Sequence, residues 1–209
     1  MGPFAGRRHL SMIRGFHLAD FLTLANAACG LLSVFAVMAY VESRDLRRLL
    51  AAAALLPWAL VFDVLDGKVA RWRMRHSPMG RELDSLADVI SFGVAPAAIA
   101  YGAGMKGFWD IVILVYFLAC GVSRLARFNI TAEQLSAGEG KVTHFEGTPI
   151  PTSLFLVGIL AVSAWFGYVG DRLPFGAFEL GPGKLHPLAL LWAISGSLMI
   201  SKTLRIPKL

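Results

Sequence analysis

Asp63, Asp66, Asp84 and Asp88 are the residues whose type and spacing could do chemistry in this chain. In helical geometry Asp63 and Asp66 stand at i,i+3 and Asp84 and Asp88 at i,i+4, so each pair shares one face. Between the pairs, Ser77-Pro78-Met79-Gly80 supplies a turn that would make the two helices antiparallel neighbours. Asp66 and Asp88 lie equally far along the chain from Ser77, so the pairs would face each other at similar depth. Four like charges so close repel strongly unless some are protonated or a cation sits between them. Ligation by oxygen alone favours Mg²⁺, Mn²⁺ or Ca²⁺ over zinc, and no Cys/His set with zinc spacing occurs.

The elements that must position these carboxylates belong to a membrane. The chain has 209 residues, 56% hydrophobic and 16% charged, against about 25% charged in a soluble domain. Twenty basic and 14 acidic residues leave a net charge of +6. With this apolar fraction and these long hydrophobic runs, that balance fits a membrane surface and not nucleic acid. Two cysteines, Cys29 and Cys120, both in apolar stretches, imply no disulfide framework.

A hydrocarbon core about 30 Å thick needs roughly 20 apolar residues in helical form. The sequence predicts an all-α integral membrane protein, a bundle of about six transmembrane helices. The spans lie near Asp20–Val41, Leu49–Asp66, Leu83–Gly104, Phe108–Cys120 with its continuation, Pro149–Gly170 and Leu185–Ser201. Ser123 and Arg124 cut the fourth short. Residues 1–19, with Arg7, Arg8 and Arg14 among apolar side chains, form either an amphipathic helix lying on the bilayer or a plain basic tail. Residues 20–209 form the transmembrane domain. Six spans put both termini on one side, and the excess of Arg and Lys in the segments on that side makes it cytoplasmic, although Arg44, Arg47 and Arg48 argue the other way.

Each carboxylate held in the bilayer costs about 2.5–3.5 kcal/mol, so four of them mark a functional site by default. The bland alternative is that they cap helix ends or pair with Arg71, Arg73, Arg75 and Arg81. It serves for any one Asp, and less well for four joined by small residues. Gly67 and Ala70 share the face of Asp63 and Asp66, and Gly80 precedes Asp84 by one turn. Small residues there admit a ligand to the backbone, or admit a close-packed helix. Arg71 is placed to bind a phosphate. A divalent-cation transporter would also carry intramembrane Asp, but spread through the bilayer instead of clustered in one hairpin.

From Asp63 to Asp88 the segment reads Asp63-x2-Asp66-Gly67-x2-Ala70-Arg71-x8-Gly80-x3-Asp84-x3-Asp88. It resembles the full signature of the CDP-alcohol phosphotransferase family. Further runs are similar to the phosphatidylserine synthase branch: Leu22-Thr23-Leu24-Ala25-Asn26 with Cys29-Gly30, Ser91-Phe92-Gly93-Val94-Ala95-Pro96-Ala97, Arg124-Leu125-Ala126-Arg127-Phe128-Asn129, and Phe145-Glu146-Gly147-Thr148-Pro149-Ile150-Pro151. Asp20 and Thr148 depart from that branch, which usually has Asn and Leu there.

The resemblance implies a homodimeric six-helix bundle in the cell (inner) membrane, its site open to the cytoplasm. It implies transfer of a phosphatidyl group from CDP-diacylglycerol to L-serine, with Mg²⁺ or Mn²⁺, two ions, held by Asp63, Asp66, Asp84 and Asp88. Asp88 would be the general base, and Gly67, Ala70, Arg71 and Gly80 would hold the CDP moiety. The serine carboxylate needs a cation, for which Arg124 and Arg127 are candidates, with Asn129 or the Glu146 loop helping; the two arginines serve equally well as positive-inside anchors. The alternative acceptors are glycerol 3-phosphate and inositol phosphate, which call for more basic residues than these. His76 and His144 read as solvated interfacial residues, and Trp58, Trp109 and Trp165 as interface or lipid-facing packing.

Overall fold

A computed structural model of the chain describes residues 18–72, 78–136, 144–181, 183–201 and 205–207. The amphipathic segment expected over residues 1–19 falls outside the described residues except for Leu18 and Ala19, which already belong to the first helix.

Helix α1 (Leu18–Ser43) buries Asp20, Thr23, Asn26, Gly30, Ser33, Val37 and Tyr40, a stripe at steps of three and four. It passes into α2 (Leu46–Trp72) through two residues. Arg44 takes a left-handed φ of 58°, and Asp45 Oδ1 accepts the Arg47 N–H at 3.0 Å to cap α2. So short a connection makes the helices antiparallel neighbours. Across their seam Ser33 Oγ donates to the Ala52 carbonyl at 2.9 Å.

The third rod consists of α3 (Pro78–Asp88), a wide π-helical turn over Val89–Val94, and α4 (Ala95–Ala103). Pro78, Met79 and Gly80 are the first turn of α3, not the loop the sequence suggested, and a proline there forfeits no hydrogen bond. The wide turn has a cause in the sequence. Pro96 has no N–H to offer one α-turn back, and Ala95 N–H reaches Ile90 O instead.

Helix α5 (Phe108–Ser136) runs without interruption through Ser123 and Arg124, which corrects the short fourth span. Both residues sit in the interior of a long rod that continues to Ser136. There follow β1 (His144–Glu146), α6 (Ser153–Trp165), β2 (Phe178–Leu180), β3 (Gly183–Leu185), α7 (Leu190–Ile200) and β4 (Arg205–Pro207). Strand β1 pairs antiparallel with β4, and β2 with β3. These two ribbons are the only strands among the described residues.

Four helices are long and apolar enough to cross a membrane, over Leu18–Ser43, Leu46–Val69, Met79–Ala103 and Phe108–Thr131. Two more apolar helices are shorter, over Ile150–Trp165 and Pro187–Ile200. The all-α membrane bundle expected from the sequence is therefore what forms. Small residues set its packing, as in lipid, where van der Waals contact must supply most of the attraction. A methyl on Gly30 would lie 2.8 Å from Ser91 Cα, and one on Gly196 would lie 3.2 Å from Phe117 Cα. Leu56, Phe92, Ile99, Phe117 and Trp192 fill the space between the helices.

At the start of α5, Asp110 is fully buried and draws the chain around it together. It accepts the Gly107 N–H at 2.9 Å and the His186 N–H at 2.8 Å, and His186 Nδ1 lies 2.7 Å from its Oδ2. This ties the connection between α6 and α7 to the end of α5 farthest from Asn129.

Candidate active site

Helix α2 presents Asp63 and Asp66, and α3 presents Asp84 and Asp88, as the spacing required. Both helices run past the carboxylates, α2 to Trp72 and α3 back to Pro78, so the acids lie within the rods and not at their ends. One oxygen from each of Asp63, Asp66 and Asp84 lies within 4.8 Å of the others. Asp66 is buried, and Asp63 and Asp84 are half-buried. Asp88 is not one of the three, but it too is buried and feels the charges of Asp63 and Asp84.

Of the four arginines that could pair with these acids, Arg81 alone has a described side chain. No described Lys or Arg forms an ion pair with Asp63, Asp66 or Asp84, and Arg81 Nε is buried without a partner. Arg73, Arg75 and His76 lie outside the described residues. Asp84 Oδ1 is likewise buried without a hydrogen bond. A buried, unpartnered carboxylate oxygen beside two further carboxylates is a costly arrangement unless a positive charge completes it. The oxygen-only donor set fits a hard divalent cation.

Helix α1 supplies partners that the motif did not announce. Thr23 Oγ1 donates to Asp66 Oδ2 at 2.6 Å, and Asn26 Nδ2 to Asp88 Oδ1 at 3.4 Å. Ser91 Oγ donates to the Asn26 carbonyl at 2.8 Å, where the bare face of Gly30 lets the rods touch. Asp20, one turn earlier, is buried near enough to Asp66 to interact with its charge. A signal was present in the sequence: Asp20, Thr23 and Asn26 recur every three residues in an otherwise apolar span.

The nucleotide-binding candidates divide. Among the described residues nothing lies within 4 Å of where a methyl on Gly67 would be, so no described helix packs against this glycine. Gly80 stands in the first turn of α3, half-buried. Ala70 and Arg71 continue α2, with side chains outside the described set.

The acceptor candidates divide as well. Arg124 is half-buried, interacts electrostatically with Asp88, and keeps its Nε buried without a partner. Arg127 is exposed. Asn129 is tied to α3, its Nδ2 donating to Ser85 Oγ at 3.0 Å and to Glu82 Oε1 at 3.3 Å. It therefore fastens α5 to the carboxylate helix. His144 and Glu146 lie on β1, which pairs Glu146 with Arg205. Gly147 follows with φ of 75°, where the Met199 carbonyl leaves no room for a side chain.

These features coincide with a known family. The profile of the CDP-alcohol phosphatidyltransferases matches residues 16–194. The CDP-diacylglycerol–serine O-phosphatidyltransferase of Saccharomyces cerevisiae is 44% identical over 203 residues, covering 96% of this chain and 74% of the yeast protein. The enzyme of the same name from Mycobacterium tuberculosis is 38% identical over 120 residues, 56% of this chain and 42% of that protein. The archaetidylserine synthase of Methanothermobacter thermautotrophicus is 37% identical over 152 residues, 71% of this chain and 59% of that protein. The chain belongs to the CDP-alcohol phosphatidyltransferase family.

Proposed function

We propose that this protein transfers the phosphatidyl group of CDP-diacylglycerol to L-serine, releasing phosphatidylserine and CMP. The observation that carries this reading is the convergence of three carboxylates beside the open face of Gly67, with an unpartnered oxygen on Asp84. The names of the similar enzymes support serine as the acceptor.

In this reading the serine hydroxyl attacks the phosphorus that bears diacylglycerol, and the bond from that phosphorus to the CMP oxygen breaks. Asp88 takes the hydroxyl proton, with Asn26 holding its carboxylate in place. Gly67, Ala70, Arg71 and Gly80 receive the CDP moiety, and Arg124 faces the serine carboxylate, with Arg127 and Asn129 at the margin. Mg²⁺ or Mn²⁺, as two ions held by Asp63, Asp66, Asp84 and Asp88, would draw charge from the pyrophosphate oxygens. The site opens to the cytoplasmic side of the cell membrane, and the enzyme acts as a homodimer.

An acceptor series tests the proposal. Purified protein given CDP-diacylglycerol should release CMP with serine, and only when Mg²⁺ or Mn²⁺ is present. Release with glycerol 3-phosphate or inositol phosphate in place of serine would reassign the acceptor and leave the chemistry standing. Cation uptake into proteoliposomes with no lipid product would point to a transporter.

A second expectation concerns α1. Thr23→Val removes the hydrogen bond to Asp66 with little change of shape. A bond to a charged group is worth about 1.5 kcal/mol or more, so kcat/KM should fall about tenfold. Thr23→Ser, which keeps the hydroxyl, should restore most of it. Equal loss in both variants would mean that packing, and not the hydrogen bond, is what Thr23 contributes.

A further inference from the structure

The two shorter apolar helices pose a question of length. Ile150–Trp165 spans sixteen residues and Pro187–Ile200 fourteen. At a rise of about 1.5 Å per residue they reach about 24 and 21 Å, against about 30 Å of hydrocarbon. The segment joining them, 166–186, must make up the difference on the side away from the carboxylates.

That segment is built for the boundary between water and lipid. In the β2–β3 ribbon Phe178 pairs with Leu185, Glu179 with Lys184, and Leu180 with Gly183. Successive side chains on a strand point to opposite faces, so Phe178, Leu180 and Leu185 share the face on which Gly183 rests against Phe108 of α5, with Phe178 and Leu180 left exposed, while Glu179 and Lys184 share the other. Phe178 and Leu180 are 61% and 53% exposed, and close by in sequence Trp165, Phe166 and Phe175 are 73%, 70% and 77% exposed. Five large apolar side chains stand outward in one stretch, next to the lipid-facing surface of α6.

The backbone here is also largely satisfied without water. Besides the ribbon's own pairing, Trp109 Nε1 donates to the Leu180 carbonyl at 2.7 Å. His186 N–H is taken by Asp110, and Tyr168, Leu173 and Gly176 close local turns onto Ser163, Gly170 and Leu173. Backbone groups paired in this way can enter the interface without the cost of leaving them unsatisfied there.

We infer that the β2–β3 hairpin inserts its Phe178/Leu180 face into the headgroup–acyl boundary of the leaflet opposite the carboxylates, its lipid contact fixing the depth at which the short helices sit. Apolar faces at such boundaries reach about 5–10 Å deep, which matches the shortfall of the two helices. Trp109 and the Asp110–His186 contact fasten the hairpin to α5, so the anchor and the site share one rod.

Spin labels would test this in proteoliposomes. In a background with Cys29→Ser and Cys120→Ser, labels at Phe178→Cys and Leu180→Cys should show a several-fold higher ratio of oxygen to nickel-chelate accessibility than labels at Glu179→Cys and Lys184→Cys. If all four are equally open to the nickel chelate, the hairpin stands in water and the inference fails. If 178 and 180 are closed to both reagents, protein covers that face, and it fails again. Should the cysteine-free background not fold, the unmodified protein can be photolabelled with a lipid-borne carbene precursor. Adducts on Phe175, Phe178 and Leu180 are then expected, and their absence overturns the inference.

Discussion

Asp84→Asn should lower kcat on the order of 10³-fold while leaving the protein at least as stable to heat in the absence of metal. The substitution keeps the shape of the side chain and removes its charge. In the folded chain Asp84 stands beside Asp63 and Asp66 with no described cation to offset them. Neutralising one of three clustered carboxylates relieves repulsion, so the metal-free melting temperature should hold or rise. A carboxylate serving as half of a structural ion pair would behave in the opposite way. Mn²⁺ makes the comparison sharper. A cation bound at a hundred times its dissociation constant stabilises the fold by about 2.7 kcal/mol, so thermal unfolding of the parent should shift upward with Mn²⁺. Asp84→Asn should lose most of that shift along with turnover. If it keeps the full Mn²⁺ shift, the ion is held elsewhere and the carboxylate cluster is not its seat.

Gly67→Ala should separate stability from activity in another way. Among the described residues the added methyl meets nothing within 4 Å. Alanine also favours helix over glycine by about 1 kcal/mol, so the melting temperature should stay level or rise slightly. If the CDP moiety lies against this stretch of α2, the methyl occupies its space, and kcat/KM for CDP-diacylglycerol should fall about a hundredfold. KM should carry much of the loss, whereas KM for serine should change little. Full activity in Gly67→Ala would remove the nucleotide from this face. Gly30 illustrates why the position matters. A methyl there would press on the Ser91 backbone, so lost activity at Gly30 would report on helix packing and not on a ligand.

The carboxylate hairpin was legible because helical spacing is rigid. Two pairs at i,i+3 and i,i+4 on either side of a Pro/Gly stretch bring their carboxylates together, although α2 and α3 hardly touch as helices and each packs instead on α1. The limits of the helices were less legible. Pro78 and Gly80 read as a turn, yet a proline in the first turn of a helix breaks nothing, and α3 begins there. Ser123 and Arg124 interrupt the hydropathy of the fourth span but not its hydrogen bonding, since a long side chain can lie along a helix near the bilayer surface. The roles of Thr23 and Asn26 could not be read from their own segment. They became partners of Asp66 and Asp88 only once α1 packed against the other two rods. Asn129, a candidate for serine, also ties α5 to α3 through Ser85 and Glu82, a contact its own segment did not announce. The ribbons escaped notice because three-residue strands have too short a pattern to separate from loop.

The π-helical turn after Asp88 acts as a phase shifter. It lets one continuous rod obey two alignments, both halves packing on α1 while the proline-bearing half also meets α2, α5 and α6. Ser91, Phe92 and Gly93 in that turn are buried, and Ser91 is held to the Asn26 carbonyl of α1, so the change of pitch is clamped in place and keeps the acidic half of the rod indexed to α1.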